Sequence, residues 1–270
     1  MLARVISGLV LAIGIIAILF ATPWWGLAAV VALALVISCF EYARMANADG
    51  DLSYGLIFTI ACALPGLYPL GAKMWPELTH GAAFSLGFIM ICLFELARLR
   101  TVDEALRDLT RSAFGLLYIG ATCPFMILLR DRPGGEWVLL LTMAVTFLSD
   151  TGGYFAGRFF GRHKLYEAVS PKKTIEGALG GMAFSITGAF LAKNFAPHFS
   201  SLSSVDCLLL GGVGAGFAIL GDLVESLIKR GFGVKDSGAL IPGHGGLLDR
   251  IDGLLFCGPF VWFYLEVIGL

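Results

Sequence analysis

Long apolar stretches separated by short polar segments dominate the chain. A helix that crosses a bilayer needs about 20 mostly apolar residues, and about nine stretches of this sequence approach or reach that length. We expect each to be a transmembrane helix and the fold to be an all-α polytopic membrane bundle. The predicted spans are approximately 5–21, 26–43, 54–71, 80–97, 113–129, 136–157, 175–196, 205–224 and 251–269.

The first stretch follows Arg4 and could also be a cleaved signal peptide. The residues after it, Thr22-Pro23-Trp24-Trp25, do not form the small-residue site at which signal peptides are cut. Tryptophans are typical of the membrane interface. We therefore expect this stretch to be a retained span.

The distribution of Lys and Arg predicts the orientation of the spans. Nine alternating spans place 15 of the 19 Lys and Arg residues on the side of the N-terminus and 4 on the other side. Cytoplasmic loops carry the excess of positive charge. We expect a multi-pass protein of the cytoplasmic (inner) membrane, with its N-terminus and its polar loops in the cytoplasm.

Composition supports the membrane assignment and excludes several classes. Hydrophobic residues make up 57% of the chain, charged residues 14%, and the mean hydropathy is +0.83. An ordinary soluble domain has roughly 25% charged residues. A soluble enzyme, a disordered protein and a disulfide scaffold are therefore excluded. The six cysteines lie singly in apolar stretches without a C-x-x-C pair, and we expect them to be apolar filler.

Polar chemistry is concentrated in the second half of the sequence. We expect one integrated membrane domain in which 1–135 supplies N-terminal helices and 136–270 forms the catalytic region. The Arg-rich segment 98–111 mixes acidic and basic residues and predicts a solvated amphipathic surface helix. Small residues allow close approach of membrane helices, and this packing role is expected of glycines such as Gly177, Gly180 and Gly181.

Two carboxylates fall within or at the end of apolar runs. Asp150 lies inside one predicted span, and Asp222 ends the run GVGAGFAILGD. An ionised group in hydrocarbon is costly, so such residues usually face a polar cavity, although an aqueous membrane edge would also explain them. Spacing adds to the case for Asp222, because Glu225, Ser226 and Lys229 fall on the same helix face.

The segment 233–252 holds a second group of acids. Asp249 and Asp252 are three residues apart and share a helix face. With Asp222 they would suit Mg²⁺, which prefers hard oxygen donors, although acids are also favourable as simple helix caps. The glycines beside His244 would let backbone amides approach a phosphate, while a lone histidine in such a turn is more often structural.

A basic segment, 157–177, forms a third group. Ser170-Pro171 predicts the N-cap and first position of the next helix, which would place Lys172 and Lys173 in its first turn. The helix dipole disfavours cations there unless an anion binds, so the segment favours a phosphate site over ordinary loop charge. Acidic residues that bind a metal, together with basic residues that bind phosphates, would suit an enzyme of phosphoryl or nucleotidyl transfer to a lipid phosphate.

The stretch SLIKRGFGVKDSGALIPGHGGLLDRID, residues 226–252, resembles the signature of the phosphatidate cytidylyltransferases throughout its length. The segments DTGGYFAGRFFGRHK (150–164) and SPKKTIEG (170–177) are also similar to that family. Ile175 replaces an expected aromatic residue and Gly253 an expected serine. The N-terminal half resembles the family only in its hydrophobic spans.

This resemblance implies a helical, dimeric, Mg²⁺-dependent enzyme of phospholipid biosynthesis that converts CTP and phosphatidate to CDP-diacylglycerol and pyrophosphate. A second cation is left open, and no nucleic acid partner is expected. It implies metal ligation by Asp222, Asp249 and Asp252, and catalytic roles for Asp222, Lys229 and Asp249. The substrate-binding residues that it implies are Lys172, Lys173, Thr174, Ser226, Arg230, Lys235, Asp236, His244 and Arg250.

Two other classes remain as alternatives. An ion-coupled transporter would also bury carboxylates among glycine-rich helices, but it should distribute them over two inverted repeats. A different membrane transferase acting on a lipid phosphate, such as a CDP-alcohol phosphotransferase or a polyprenol kinase, is the second alternative. A CDP-alcohol phosphotransferase should carry a D-G-x-x-A-R motif, which the sequence lacks.

Overall fold

The computed structural model describes residues 13–47, 51–240 and 245–270. Within them, seven helical stretches are long and apolar enough to cross a membrane, and one bent pair of helices would make an eighth. This confirms the all-α polytopic membrane class. The helices are α1 (13–21), α2 (Trp24–Ala46), α3 (Leu52–Gly66), α4 (Tyr68–Met74), α5 (His80–Ala97), α6 (Val102–Gly115), α7 (Pro124–Asp131), α8 (Gly135–Phe160), α9 (Ile175–Phe195), α10 (Ser204–Leu208), α11 (Gly214–Gly231) and α12 (Leu248–Ile268).

The first and the third predicted spans differ from simple helices. The span 5–21 is helical from 13 onward, and its earlier part lies outside the described residues. The span 54–71 is a pair, α3 and α4, bent by 60°. Pro65 lies inside the last turn of α3 and Pro69 in the first turn of α4. A proline cannot donate the helical hydrogen bond, so a helix commonly bends at this kind of sequence.

The predicted surface helix exists and continues into a candidate membrane span. It is α6, whose N-terminus is fixed by a capping box between Thr101 and Glu104. Most of its first turns are exposed, as an amphipathic helix requires. The helical path then runs on through a π-helical turn at Leu116–Gly120, so that Val102–Asp131 forms one candidate span.

The chain divides into two compact units. The first unit comprises Met1–Leu128 with Asp236–Arg250, and the second comprises Leu129–Lys235 with Ile251–Leu270. The segment before α12 therefore belongs with the N-terminal helices, although it lies in the C-terminal half of the sequence. The predicted assignment of catalysis to 136–270 stays a prediction.

In the first unit, α2, α3 and α5 pack through apolar and aromatic side chains. Tyr42 of α2 stacks on Phe58 of α3 with ring centroids 5.3 Å apart. The hydroxyl of Tyr42 donates to the carbonyl of Arg111 in α6 over 2.8 Å. This partly buried hydrogen bond connects α6 to α2 and satisfies the polar end of the tyrosine.

In the second unit, α8 and α9 pack closely through small residues. A Cβ atom added to Gly181 would lie 2.6 Å from the carbonyl oxygen of Ser149, and one added to Gly177 would lie 2.9 Å from that of Gly153. A Cβ on Gly180 would collide with Ala156. The predicted packing role of these glycines in α9 is confirmed.

Candidate functional site

A short antiparallel hairpin precedes α9 and contains Lys172 and Lys173. Strand β1 (Lys164–Tyr166) pairs with β2 (Ser170–Thr174), with Lys164 opposite Thr174. The predicted helix start at Ser170-Pro171 is wrong, because these residues are in β2 and α9 begins at Ile175.

Thr174 sets this later start. Its backbone is extended, at φ −125° and ψ 156°, and its hydroxyl oxygen accepts the N–H of Gly177 over 3.1 Å. A threonine in this geometry is an N-cap. Lys172 and Lys173 therefore precede the helix instead of lying in its first turn, so the expected conflict with the helix dipole does not arise.

The hairpin borders a cavity of about 250 Å³ in the second unit. Its lining combines basic, acidic and small residues from five elements, α8, β1, β2, α9 and α11. The lysines come from β2, and acids come from α8 and α11. The lining residues are Ser149, Asp150, Gly153, Tyr154, Leu165, Lys172, Lys173, Thr174, Gly177, Ala178, Ile219 and Asp222.

Lys173 and Asp222 form an ion pair at this cavity. Lys173 Nζ lies 2.6 Å from Asp222 Oδ2, and both side chains are half-buried. Ser226, one turn further along α11, donates from its hydroxyl to Asp222 Oδ1 over 3.3 Å. Both oxygens of Asp222 thus have partners, and one of those partners is a cation.

Two further acids stand near Asp222. Asp150 of α8 lines the cavity, and Asp252 of α12 lies close enough to Asp222 and Asp150 for their charges to act on it. Like charges at short range repel, and a bound divalent cation relieves that repulsion. Carboxylate oxygens are hard donors of the kind that Mg²⁺ prefers.

The polar face predicted for α11 is present, and it contains a second ion pair. Lys229 bonds to Glu225, one turn earlier, whose side chain is 1% exposed. A buried carboxylate is costly without a cation beside it. Lys229 therefore neutralises Glu225 within the helix, in addition to any role toward a substrate.

The other predicted substrate residues lie around the end of α11 and the start of α12. Arg230 is exposed, and its guanidinium donates to the carbonyl of Val234 over 3.3 Å. Lys235, Asp236 and Arg250 are exposed as well. His244 lies outside the described residues.

Asp249 is in the first unit, at the first turn of α12. Its Oδ2 atom accepts hydrogen bonds from the N–H of Gly246 at 2.8 Å, the N–H of Ser237 at 3.0 Å and the hydroxyl of Ser237 at 2.9 Å. These donors all precede α12, so the Oδ2 contacts hold the preceding segment and are not those of a helix cap, although an acid in this first turn is favourable for the helix dipole. A carboxylate offers about four acceptor positions, so these hydrogen bonds and ligation of a metal are compatible.

Sequence reasoning missed Glu41, which lies in α2 and is 8% exposed. Its carboxylate accepts hydrogen bonds from the segment that precedes α12. The sequence contained a signal for it, since Glu41 is a carboxylate inside the predicted span 26–43. The same feature had identified Asp150 and Asp222 as candidate functional residues.

Among the described residues, no group of three or more His, Cys, Asp or Glu side chains is gathered as a set of metal ligands. Of the three predicted ligands, Asp222 and Asp252 belong to the second unit and Asp249 to the first. The complete ligand set therefore stays a prediction.

Comparison with known proteins extends the similarity beyond these motifs. The sequence model of the cytidylyltransferase family matches residues 2–268. A phosphatidate cytidylyltransferase of Synechocystis sp. is 32% identical over 90% of this chain and 89% of its own length. A phosphatidate cytidylyltransferase of Mycobacterium bovis is 31% identical over 98% of this chain and 88% of its own length. One from Staphylococcus epidermidis is 36% identical over 77% of this chain and 77% of its own length. The N-terminal helices are thus included in the similarity, together with the signature.

Proposed function

Because the chain belongs to the cytidylyltransferase family, we propose that it transfers the cytidylyl group of CTP to phosphatidate. The products are CDP-diacylglycerol and pyrophosphate, and the reaction serves phospholipid biosynthesis. Curated relatives that carry the name phosphatidate cytidylyltransferase support this choice of substrates.

The observation that carries the proposal is the cavity bordered by Lys172, Lys173, Asp150 and Asp222. The reaction must bring two polyanions together, and cations at one wall reduce their repulsion. Electrostatic attraction is stronger in a partly dehydrated cavity at membrane depth than in bulk water. We expect the lysines of β2, which line this cavity, to bind phosphate oxygens there.

The chemical step requires little proton transfer. A phosphate monoester carries roughly −1.5 to −2 charges near pH 7, so an oxygen of phosphatidate is already nucleophilic. That oxygen forms a bond to the α-phosphorus of CTP, and the bond from the α-phosphorus to the bridging oxygen breaks as pyrophosphate leaves. The work left for the protein is alignment and charge stabilisation.

We assign Asp222, Asp249 and Asp252 to the binding of Mg²⁺, and a second cation is left open. When bound, the metal supplies positive charge at the α-phosphorus and at the leaving pyrophosphate. Lys173 already places an ammonium group on Asp222, which supports the preference of this carboxylate for a cation. Asp222, Lys229 and Asp249 are the proposed catalytic residues.

The remaining proposed contacts are with the substrates. Lys172, Lys173, Lys229, Arg230, Lys235 and Arg250 would bind phosphates, and Thr174, Ser226, Asp236 and His244 complete the proposed substrate set. Thr174 supports the site indirectly as well, because its N-cap joins β2 to α9.

We also propose a homodimer in the cytoplasmic membrane with the site open to the cytoplasm. CTP is a water-soluble polyanion, and the site must open to the aqueous side that supplies it. The segments that carry the proposed phosphate-binding residues are those that the positive-inside rule assigns to the cytoplasm.

The test is an assay of detergent-solubilised protein with phosphatidate, labelled CTP and Mg²⁺. We expect label in the lipid phase, its loss with EDTA and its recovery with added Mg²⁺. Absence of labelled lipid under all lipid and metal conditions, from folded protein, would reject the proposed reaction. Screening other nucleotides would then test for a membrane transferase with a different donor.

A further inference from the structure

We propose that Glu41 is a positioning residue that holds the segment Ser237–Leu248 against α2 and thereby fixes Asp249. The segment is taken without residues 241–244, which lie outside the described chain. The role in catalysis rests on the proposed function, whereas the role in holding the segment does not.

The hydrogen bonds of the Glu41 carboxylate, within the described part of the chain, all come from this segment. Oε1 accepts the N–H of Leu247 over 2.9 Å, and Oε2 accepts the N–H of Leu248 over 2.8 Å. Oε2 also lies 3.3 Å from the hydroxyl of Ser237. One side chain of α2 therefore binds both ends of a segment far away in sequence.

The position of these donors explains why an acid is needed. Leu248 is the first residue of α12, and the first N–H groups of a helix have no partner within it. Glu41 and Leu248 are buried, so water cannot readily serve as that partner. A carboxylate satisfies two such donors at once and is stabilised by the positive end of the helix dipole.

Ser237 links Glu41 to Asp249. Its hydroxyl oxygen lies 2.9 Å from Asp249 Oδ2 and 3.3 Å from Glu41 Oε2, and the residue is 6% exposed. A hydroxyl has one proton, so the two carboxylates share a single donor. Displacement of Glu41 would therefore move Ser237, which supplies Asp249 with two of its hydrogen bonds.

Glycines make the close approach of Glu41 possible. A Cβ atom on Gly238 would lie 2.6 Å from Glu41 Oε1, and one on Gly246 would lie 2.6 Å from Oε2. Gly245 has φ +84°, a conformation that other residues rarely adopt. The segment is thus shaped to receive the Glu41 side chain, which is the arrangement expected of a specific docking contact.

The direct test combines amide hydrogen exchange with kinetics for Glu41→Gln. Glutamine has nearly the same shape but only one acceptor oxygen, so either Leu247 or Leu248 loses its partner. We expect exchange of the amides in 245–250 to accelerate roughly ten- to a hundredfold, as for loss of a charge-assisted bond. We also expect a higher Mg²⁺ concentration at half-maximal activity. Partial unfolding would lower kcat without moving that concentration.

Glu95→Gln is the matched control, because Glu95 is a buried carboxylate of α5 in the same unit, 3% exposed, with Arg98 as its ion-pair partner. It should leave exchange in 245–250 and the Mg²⁺ requirement unchanged. If Glu41→Gln does not fold, Glu41→Asp provides the same test, since its shorter side chain keeps the charge but reaches the two amides less well.

Unchanged exchange in 245–250 would overturn the proposal, and so would faster exchange with an unchanged Mg²⁺ requirement. A wild-type protein that makes no labelled lipid with any nucleotide would reject the proposed function instead. In that case the exchange experiment, which needs no substrate, would still decide whether Glu41 holds the segment.

Discussion

Lys173 Nζ lies 2.6 Å from Asp222 Oδ2, which joins strand β2 to helix α11 at the wall of the cavity. The pair brings one proposed phosphate ligand and one proposed metal ligand into direct contact. In the proposed function, the lysine would bind phosphate oxygens and the aspartate would bind a metal ion. The ion pair thus keeps two charged groups satisfied in the absence of their ligands.

This pairing predicts unequal effects of the two lysines of β2. We expect Lys173→Ala to lower kcat/KM roughly ten- to a hundredfold, the range for a bond to a charged group. Lys172→Ala should raise the KM for CTP or phosphatidate by a smaller factor, because Lys172 is exposed. Steady-state kinetics with each substrate varied in turn measures both effects. Lys193→Ala, near the other end of α9, is the control and should leave the kinetics unchanged. Unchanged kinetics in both β2 variants would show that Lys172 and Lys173 do not bind substrate.

A second prediction concerns Asp249→Asn. Asparagine keeps the shape of the side chain but loses the charge, and its amide nitrogen cannot accept the hydrogen bonds now made by Oδ2. We expect cytidylyl transfer to fall by at least roughly a hundredfold, the upper range for loss of a charged partner, while the protein stays folded and inserted. The assay is incorporation of labelled CTP into lipid. Asp103→Asn, an exposed position in α6, is the control, and near-full activity of Asp249→Asn would contradict the metal assignment.

The packing of α8 against α9 predicts the effect of a single methyl group. Gly181→Ala would put Cβ 2.6 Å from the backbone carbonyl of Ser149, which cannot move like a flexible side chain. We expect a loss of about 1–3 kcal/mol of stability and a lower Tm. Thermal unfolding in detergent measures the change. Gly14→Ala in α1 should cause no loss, because nothing lies within 4 Å of a Cβ there; an equal loss in both variants would exclude close packing as the cause.

The predicted orientation can be tested with single cysteines. Glu77 is exposed between α4 and α5, and Asp103 is exposed in α6. The charge distribution assigns the first to the outside and the second to the cytoplasm. A membrane-impermeant maleimide should therefore label Glu77→Cys in intact cells and Asp103→Cys only after permeabilisation. Background should be low, because five of the six native cysteines are buried and Cys92 is half-buried. The reverse labelling pattern would show that the spans have the opposite orientation.

The sequence alone determined the membrane class, most span positions, the polar face of α11 and the family. Each of these depends on local information. Hydrophobic length decides whether a segment can cross a bilayer, and helical periodicity places Asp222, Glu225 and Lys229 on one face wherever that helix lies. The signature is likewise a continuous stretch, so it could be identified before any contact was known.

Only the tertiary structure decided the hairpin, the Lys173–Asp222 ion pair and the role of Glu41. Residues 170–174 have a sequence compatible with a helix start, but pairing with β1 made them a strand. Nothing near Glu41 in the sequence reveals that its partners are Leu247, Leu248 and Ser237. These contacts join residues far apart along the chain, and their energies depend on which groups are buried together. A local pattern can show that a buried charge needs a partner, but only the folded chain determines which partner it has.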